Sequence, residues 1–243
     1  MNFIKKLSVT PLSRKGMFTA LMLSTLAACS SAPEQASSAG AAAQNTAART
    51  NAATTPELSE VDAERQRILA MPNRYKENAA AVPNEVKLAV EAALTQKANG
   101  DIDGAKASLK VINANHPSLS GIALQLGDIA LTSGDTALAK AYYQQAISAN
   151  NNNYYAHNRL GNLQRKSGEF ASAKASYLAA LTSYAGFAEA NLNLGILLDM
   201  YMGKKEQALA YYQTYQVLTK QENRKVKGWI ADISMQLRAV NNG

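Results

Sequence analysis

Residues Arg159–Leu181 read RLGNLQRKSGEFASAKASYLAAL. Two helix-like stretches flank the breaker Ser167-Gly168-Glu169, and small residues sit inside both of them: Gly161, Ala173 and Ala180. A glycine inside a helix costs about 1 kcal/mol relative to alanine, so its presence needs a compensating contact. Steps of 34 residues find the same pattern elsewhere. Gly161 maps onto Ala93, Gly127 and Gly195, and Ala173 onto Ala105 and Ala139. The turn glycine Gly168 maps onto Gly100 and Gly134, Tyr177 onto Leu109 and Tyr143, and Ala180 onto Ile112 and Ala146. Five positions sharing one period define a repeat of two helices per unit. Small residues at fixed places in such a unit let neighbouring helices cross closely, and that packing offsets the lost propensity.

This pattern resembles the tetratricopeptide repeat. The resemblance divides residues 86–222 into four units, 86–119, 120–153, 154–187 and 188–222. The apolar–small pair of the first helix is Ala92-Ala93, Leu126-Gly127, Leu160-Gly161 and Leu194-Gly195. Only Pro117 occupies the proline position near a unit's end, and the fourth unit carries one extra residue, which moves its turn to Gly203 and its small residue to Ala208. Beyond it, Val226, Trp229, Ile230, Ile233 and Leu237 recur at helical spacing and fit a helix that caps the array over residues 223–243. Trp229 is then a capping residue or, alternatively, a partner anchor. The expected fold is all-α: a right-handed α-solenoid of four helix pairs with a C-terminal capping helix.

The N-terminus reads as an address. Residues 1–28 contain Lys5, Lys6, Arg14 and Lys15, no acidic residue, and the apolar run MFTALMLSTLAA. That run is too short to span a bilayer and suits a signal-peptide core. It ends in Leu26-Ala-Ala-Cys29, which resembles the bacterial lipobox, and Cys29 is the chain's single cysteine. The resemblance implies cleavage before Cys29 and acylation of its sulfur and new amine. Ser30 and Ser31 follow, where an aspartate would signal inner-membrane retention, so the implied location is the inner leaflet of the outer membrane, facing the periplasm. An ordinary signal peptide with an incidental cysteine is the plainer alternative.

Cleavage changes the charge argument. The formal charge of +7 comes from 25 basic and 18 acidic residues; removing the four basic ones leaves 21 against 18, or +3. That balance gives no case for nucleic acid. Lys204, Lys205, Lys220, Arg224, Lys225 and Lys227 form a solvated face or contact an acidic partner or lipid headgroups. The segment 29–55 follows Cys29 with Ala, Ser, Thr, Asn and Gln, and only Glu34 and Arg49 are charged. Such a composition cannot bury enough apolar surface to fold and is expected to be a disordered linker. A flexible chain of this length reaches roughly 30 Å on average and at most about 90 Å. Residues 56–85 then hold a short helix, started by Thr55-Pro56, and a connector.

No constellation for catalysis is visible. His116 and His157 lack a second ligand at metal spacing, and the Gly100–Gly104 run GDIDG lacks the remaining ligands of a calcium loop. The chain is therefore expected to be no enzyme, and to use no cofactor, metal or small-molecule substrate. Function should lie on a surface. In the resembled family, set positions of the first helix face the concave groove; here they are Tyr155, Asn158, Arg159, Asn162 and Arg165, with Gln125, Asp128 and Asn193 from neighbouring units. Asparagine amides suit a peptide backbone and arginines a carboxylate. Lys87, Val90, Leu94 and Lys97 make the first unit's end of that face more apolar. The resemblance extends to repeat lipoproteins that act as pilotins or assembly factors for type IV and Tad pilus secretins, or accompany TonB-type complexes. It implies an adaptor binding a protein or peptide segment of an envelope machine. The alternative is a peptidoglycan-associated factor that recruits or regulates cell-wall enzymes.

Overall fold

The computed structural model describes residues 59–220 and 222–241, all within the compact unit Thr54–Gly243. The signal segment, Cys29 and the linker lie outside the described residues. Among the described residues every element is helical. Four pairs stack in order: α3 (Asn84–Ala98) with α4 (Ile102–Asn115), α5 (Ser120–Thr132) with α6 (Thr136–Ala149), α7 (Tyr154–Lys166) with α8 (Phe170–Ser183), and α9 (Ala188–Ile196) with α10 (Lys205–Leu218). The closing helix α11 (Arg224–Asn241) buries Val226 and Ile233 against the fourth pair. The all-α solenoid of four helix pairs with a closing helix, expected from the period, is the fold observed. Each turn inside a pair is made by a glycine at positive φ: Gly100 (+88°), Gly134 (+83°), Gly168 (+77°) and Gly203 (+62°). Only glycine adopts that conformation without strain. Asp101 and Asp135 cap the following helices by accepting the amides of Gly104 and Leu138, which accounts for the acidic residue after the turn.

The internal glycines have one repeated cause. A Cβ on Gly127 would lie 2.5 Å from the ring of Tyr143, one on Gly161 2.7 Å from Tyr177, and one on Gly195 2.7 Å from Tyr212. Each first helix thus leaves a notch into which the second helix's tyrosine lies flat, and all three tyrosines are fully buried. The first unit has Leu109 in place of tyrosine, and its notch is filled by Ala93. Each ring needs a hydrogen-bond partner once buried. The Tyr143 hydroxyl donates to Asp128 at 2.7 Å, Tyr177 to Asn162 at 2.7 Å, and Tyr212 to Asp199 at 3.4 Å. Burial raises the pKa of all three phenols above their usual value and keeps them protonated donors.

The extra residue of the fourth unit appears as a single π-turn, Leu197–Tyr201, continuing α9. It absorbs one residue without breaking the helix. Leu197 and Leu198 stay fully buried while Met200 and Tyr201 are turned outward.

Two short N-terminal helices complete the fold. α1 (Glu60–Leu69) begins at Glu60, where Ser59 caps it by accepting the Asp62 amide; the start expected at Thr55-Pro56 lies outside the described residues. α2 (Arg74–Glu77) is capped by Asn73. The segment 59–82 is laid along the edge where one unit passes to the next. Arg65 Nε donates to the Leu218 carbonyl at the end of unit four (3.2 Å). Tyr75 stacks edge-on to Tyr154 (5.7 Å), inside a cluster with Tyr184 and Phe187 at the limits of unit three. Asn150, at the end of unit two, donates to the Asn78 carbonyl (3.3 Å), and Ser120, at the start of unit two, meets the Tyr75 hydroxyl (3.4 Å). This strap runs against the order of the units, from the fourth back to the first.

Candidate partner-binding site

The polar residues expected on the concave face are brought together, but they are turned largely on one another. Arg159 Nε donates to Asp128 (3.1 Å) one unit back, and its guanidinium lies 3.7 Å from Glu189 one unit forward. Asn193 donates to Asn158 Oδ1 (3.0 Å), and Asn158 donates onward to Glu189 (3.4 Å). Asn162 accepts Tyr177, while Arg165 reaches the hydroxyls of Tyr177 and Tyr201 (3.4 Å each) and lies over the Tyr201 ring. Tyr155 packs on Tyr75 and Phe187. This corrects the sequence expectation in one respect. Asn158 is fully buried with both ends of its amide engaged, so it does not meet a peptide backbone, whereas Asn162 is half-buried and accepts Tyr177 through Oδ1 alone. The ladder ties units two, three and four together.

An open volume lies at the other end of the array. A cleft of about 430 Å³ is walled by Val86, Val90 and Leu94 of α3, Leu119 at the end of unit one, Ile122 and Gln125 at the start of unit two, and strap residues Tyr75, Asn78, Ala79, Ala80 and Val82. Of the eight residues expected in the groove, Gln125 alone lines it. The apolar character of the first unit at these positions was legible; the strap that closes the cleft on its other side was not. Its lining is mainly apolar, with Lys87 and Glu91 at the rim, and it suits one or two apolar side chains of a partner segment. His157, expected to have no metal partner, donates Nε2–H to the Asn151 carbonyl (2.9 Å). Among the described residues there is no cluster of metal-ligating side chains, and no helix is long and apolar enough to cross a membrane.

A stack of helix pairs with an apolar cleft defines a helical-repeat fold of the kind that offers interaction surfaces. The family profile described as Tetratricopeptide repeat matches residues 124–186 and 158–223, a stretch that lies within units two to four and the start of the closing segment. Solved structures with the same fold include one reported in a functional characterization of Pseudomonas aeruginosa pilF. It is 22% identical with a TM-score of 0.55, over 63% of this chain and 69% of that one. A tetratricopeptide repeat protein from Parabacteroides merdae is 19% identical with a TM-score of 0.53, over 62% of this chain and 59% of that one. The MamA protein is 18% identical with a TM-score of 0.51, over 63% of this chain and 88% of that one. No curated protein matches the chain.

Proposed function

We propose that this protein is a non-enzymatic adaptor, lipidated at Cys29 and tethered to the inner leaflet of the outer membrane. In the periplasm it binds a protein segment of an envelope machine of the pilus-secretin or TonB type. The cleft is the observation that carries the binding half of this reading. It is apolar, sized for side chains and placed on the first helices of units one and two, the face through which repeat solenoids bind extended ligands. The lipobox-like Leu26–Cys29 supports the anchor, and several acyl chains give stable attachment. A photo-crosslinking residue placed at Leu94 or Gln125 in intact cells tests the cleft. Capture of one envelope protein at both positions, abolished by Leu94→Glu introduced beside the Gln125 probe, is the expected result. Capture that survives Leu94→Glu removes the cleft as the binding face.

A further inference from the structure

The strap determines where the tether joins the folded array. Ser59, the first described residue, precedes Arg65 by six positions, about 9 Å of helix, and Arg65 is fastened to Leu218. The chain leading back to Cys29 therefore leaves beside unit four, not beside unit one, although unit one comes next in sequence.

The same end carries a cluster of basic residues. Lys220, at φ +54°, turns the chain from α10 into α11, and Lys220, Arg224, Lys225 and Lys227 are all exposed there, with Glu222 as the acidic neighbour. Arg224, Lys227, Ala231, Met235 and Arg238 follow at spacings of three and four, so they share the outward face of α11, opposite the buried Val226 and Ile233. Met235 is 65% exposed on that face. The acidic groups of nearby α1 are partly engaged: Asp62 takes the Ser59 hydroxyl and Glu64 pairs with Arg67.

We propose that this end, centred on Lys220, Arg224, Lys225 and Lys227, docks on an anionic phospholipid surface, so that the array stands with unit four against the membrane and the cleft of unit one facing away. The proposal rests on the reading of Cys29 as the anchor. Basic residues beside an anchored segment gain strongly from a negatively charged leaflet, and the gain fades within a Debye length. A lipid chain plus a basic patch is also a two-signal attachment.

Trp229 is the chain's single tryptophan; it lies half-buried on α11, against Tyr212 and under the Lys225 ammonium, and reports lipid that reaches Lys225. The test uses full-length protein extracted from membranes and reconstituted into vesicles carrying a headgroup quencher. One set is phosphatidylcholine, the other contains phosphatidylglycerol. Trp229 should be quenched in the phosphatidylglycerol set, and high salt should relieve the quenching. The variant Lys220→Glu/Arg224→Glu/Lys225→Glu/Lys227→Glu should still float with both vesicles but lose the quenching. Equal, weak quenching in both sets, with flotation retained, overturns the docking and leaves the anchor standing. Failure to float with phosphatidylcholine defeats the anchor instead. Flotation with phosphatidylglycerol alone then supports the surface, at an affinity at least about tenfold above that of the four-glutamate variant, and flotation with neither overturns it.

Discussion

At the scale of single residues, the glycine of each first helix and the tyrosine of the second are one device. Gly161→Ala gains up to about 1 kcal/mol of helix propensity. It also drives a methyl to 2.7 Å from the Tyr177 ring, and such overpacking costs about 1–3 kcal/mol. The clash should win in the parent. In a Tyr177→Leu background, which copies the Ala93–Leu109 pair of unit one, the same change should be neutral or stabilising. A double-mutant cycle by chemical denaturation reads the coupling, and a coupling near zero would show that the notch does not set the residue. Asn158 gives a second case. Its full burial and its bonds to Asn193 and Glu189 mean that Asn158→Ala should lower stability by about 1–3 kcal/mol, measured by thermal melting. The third concerns His157, whose pKa burial lowers against the opposing hydrogen bond to Asn151. The unfolded chain, with a histidine pKa near 6.5, then takes up a proton that the folded chain resists. Stability should fall as pH drops below about 6.5, and the melting temperature of the parent should fall more between pH 7.5 and 5.5 than that of His157→Gln.

At the scale of elements, sequence and structure agree where the information is local and periodic. The turn glycines, the notch glycines and the buried tyrosines all follow from one spacing, and even the π-turn was visible as one extra residue between Gly195 and Gly203. The strap was not visible. Its residues obey no repeat, and its partners lie up to 153 positions away, so nothing in the local pattern of Glu60–Leu69 points to Leu218. For the same reason the spacing along α7 gives no sign of the bonds that Asn158 and Arg159 make to neighbouring units. Spacing places a side chain on a face but does not say what faces it. The strap's own contribution can be measured. Tyr75→Ala removes one ring that packs edge-on against both Tyr154 and Tyr155, and aromatic pairs of this kind contribute about 0.5–1.5 kcal/mol beyond area burial. Proteolysis within residues 59–82 should accelerate in that variant while cleavage within α5–α8 stays unchanged. Equal acceleration in both regions would mean that the strap is no separate element.

At the scale of the whole array, an ordinary solenoid is a row of units, each contacting only its neighbours, and its ends fray first. Here α1 packs on α10 and the strap touches each junction on its way to α3. The two ends should therefore open together. Native-state hydrogen exchange of the parent should show α3 and α10 protected to a similar degree. Ile68→Asp, which places a charge at a buried strap position, should lower protection of α10 far more than that of α6 or α7. Independent fraying of α3 and α10 in the parent would show that the strap does not couple them.

That fastening also bears on the order in which the molecule becomes complete. The strap is made before any repeat, yet its last contact is a carbonyl near the end of the chain. Contacts of such long sequence separation form late in folding. During synthesis the earliest folded-domain residues must wait until all four units exist. A chain that stops before Leu218 has no carbonyl to receive Arg65, and the α1 end of its strap stays loose however well the earlier units have folded. The latch thus distinguishes finished molecules from interrupted ones by a feature that proteases can read.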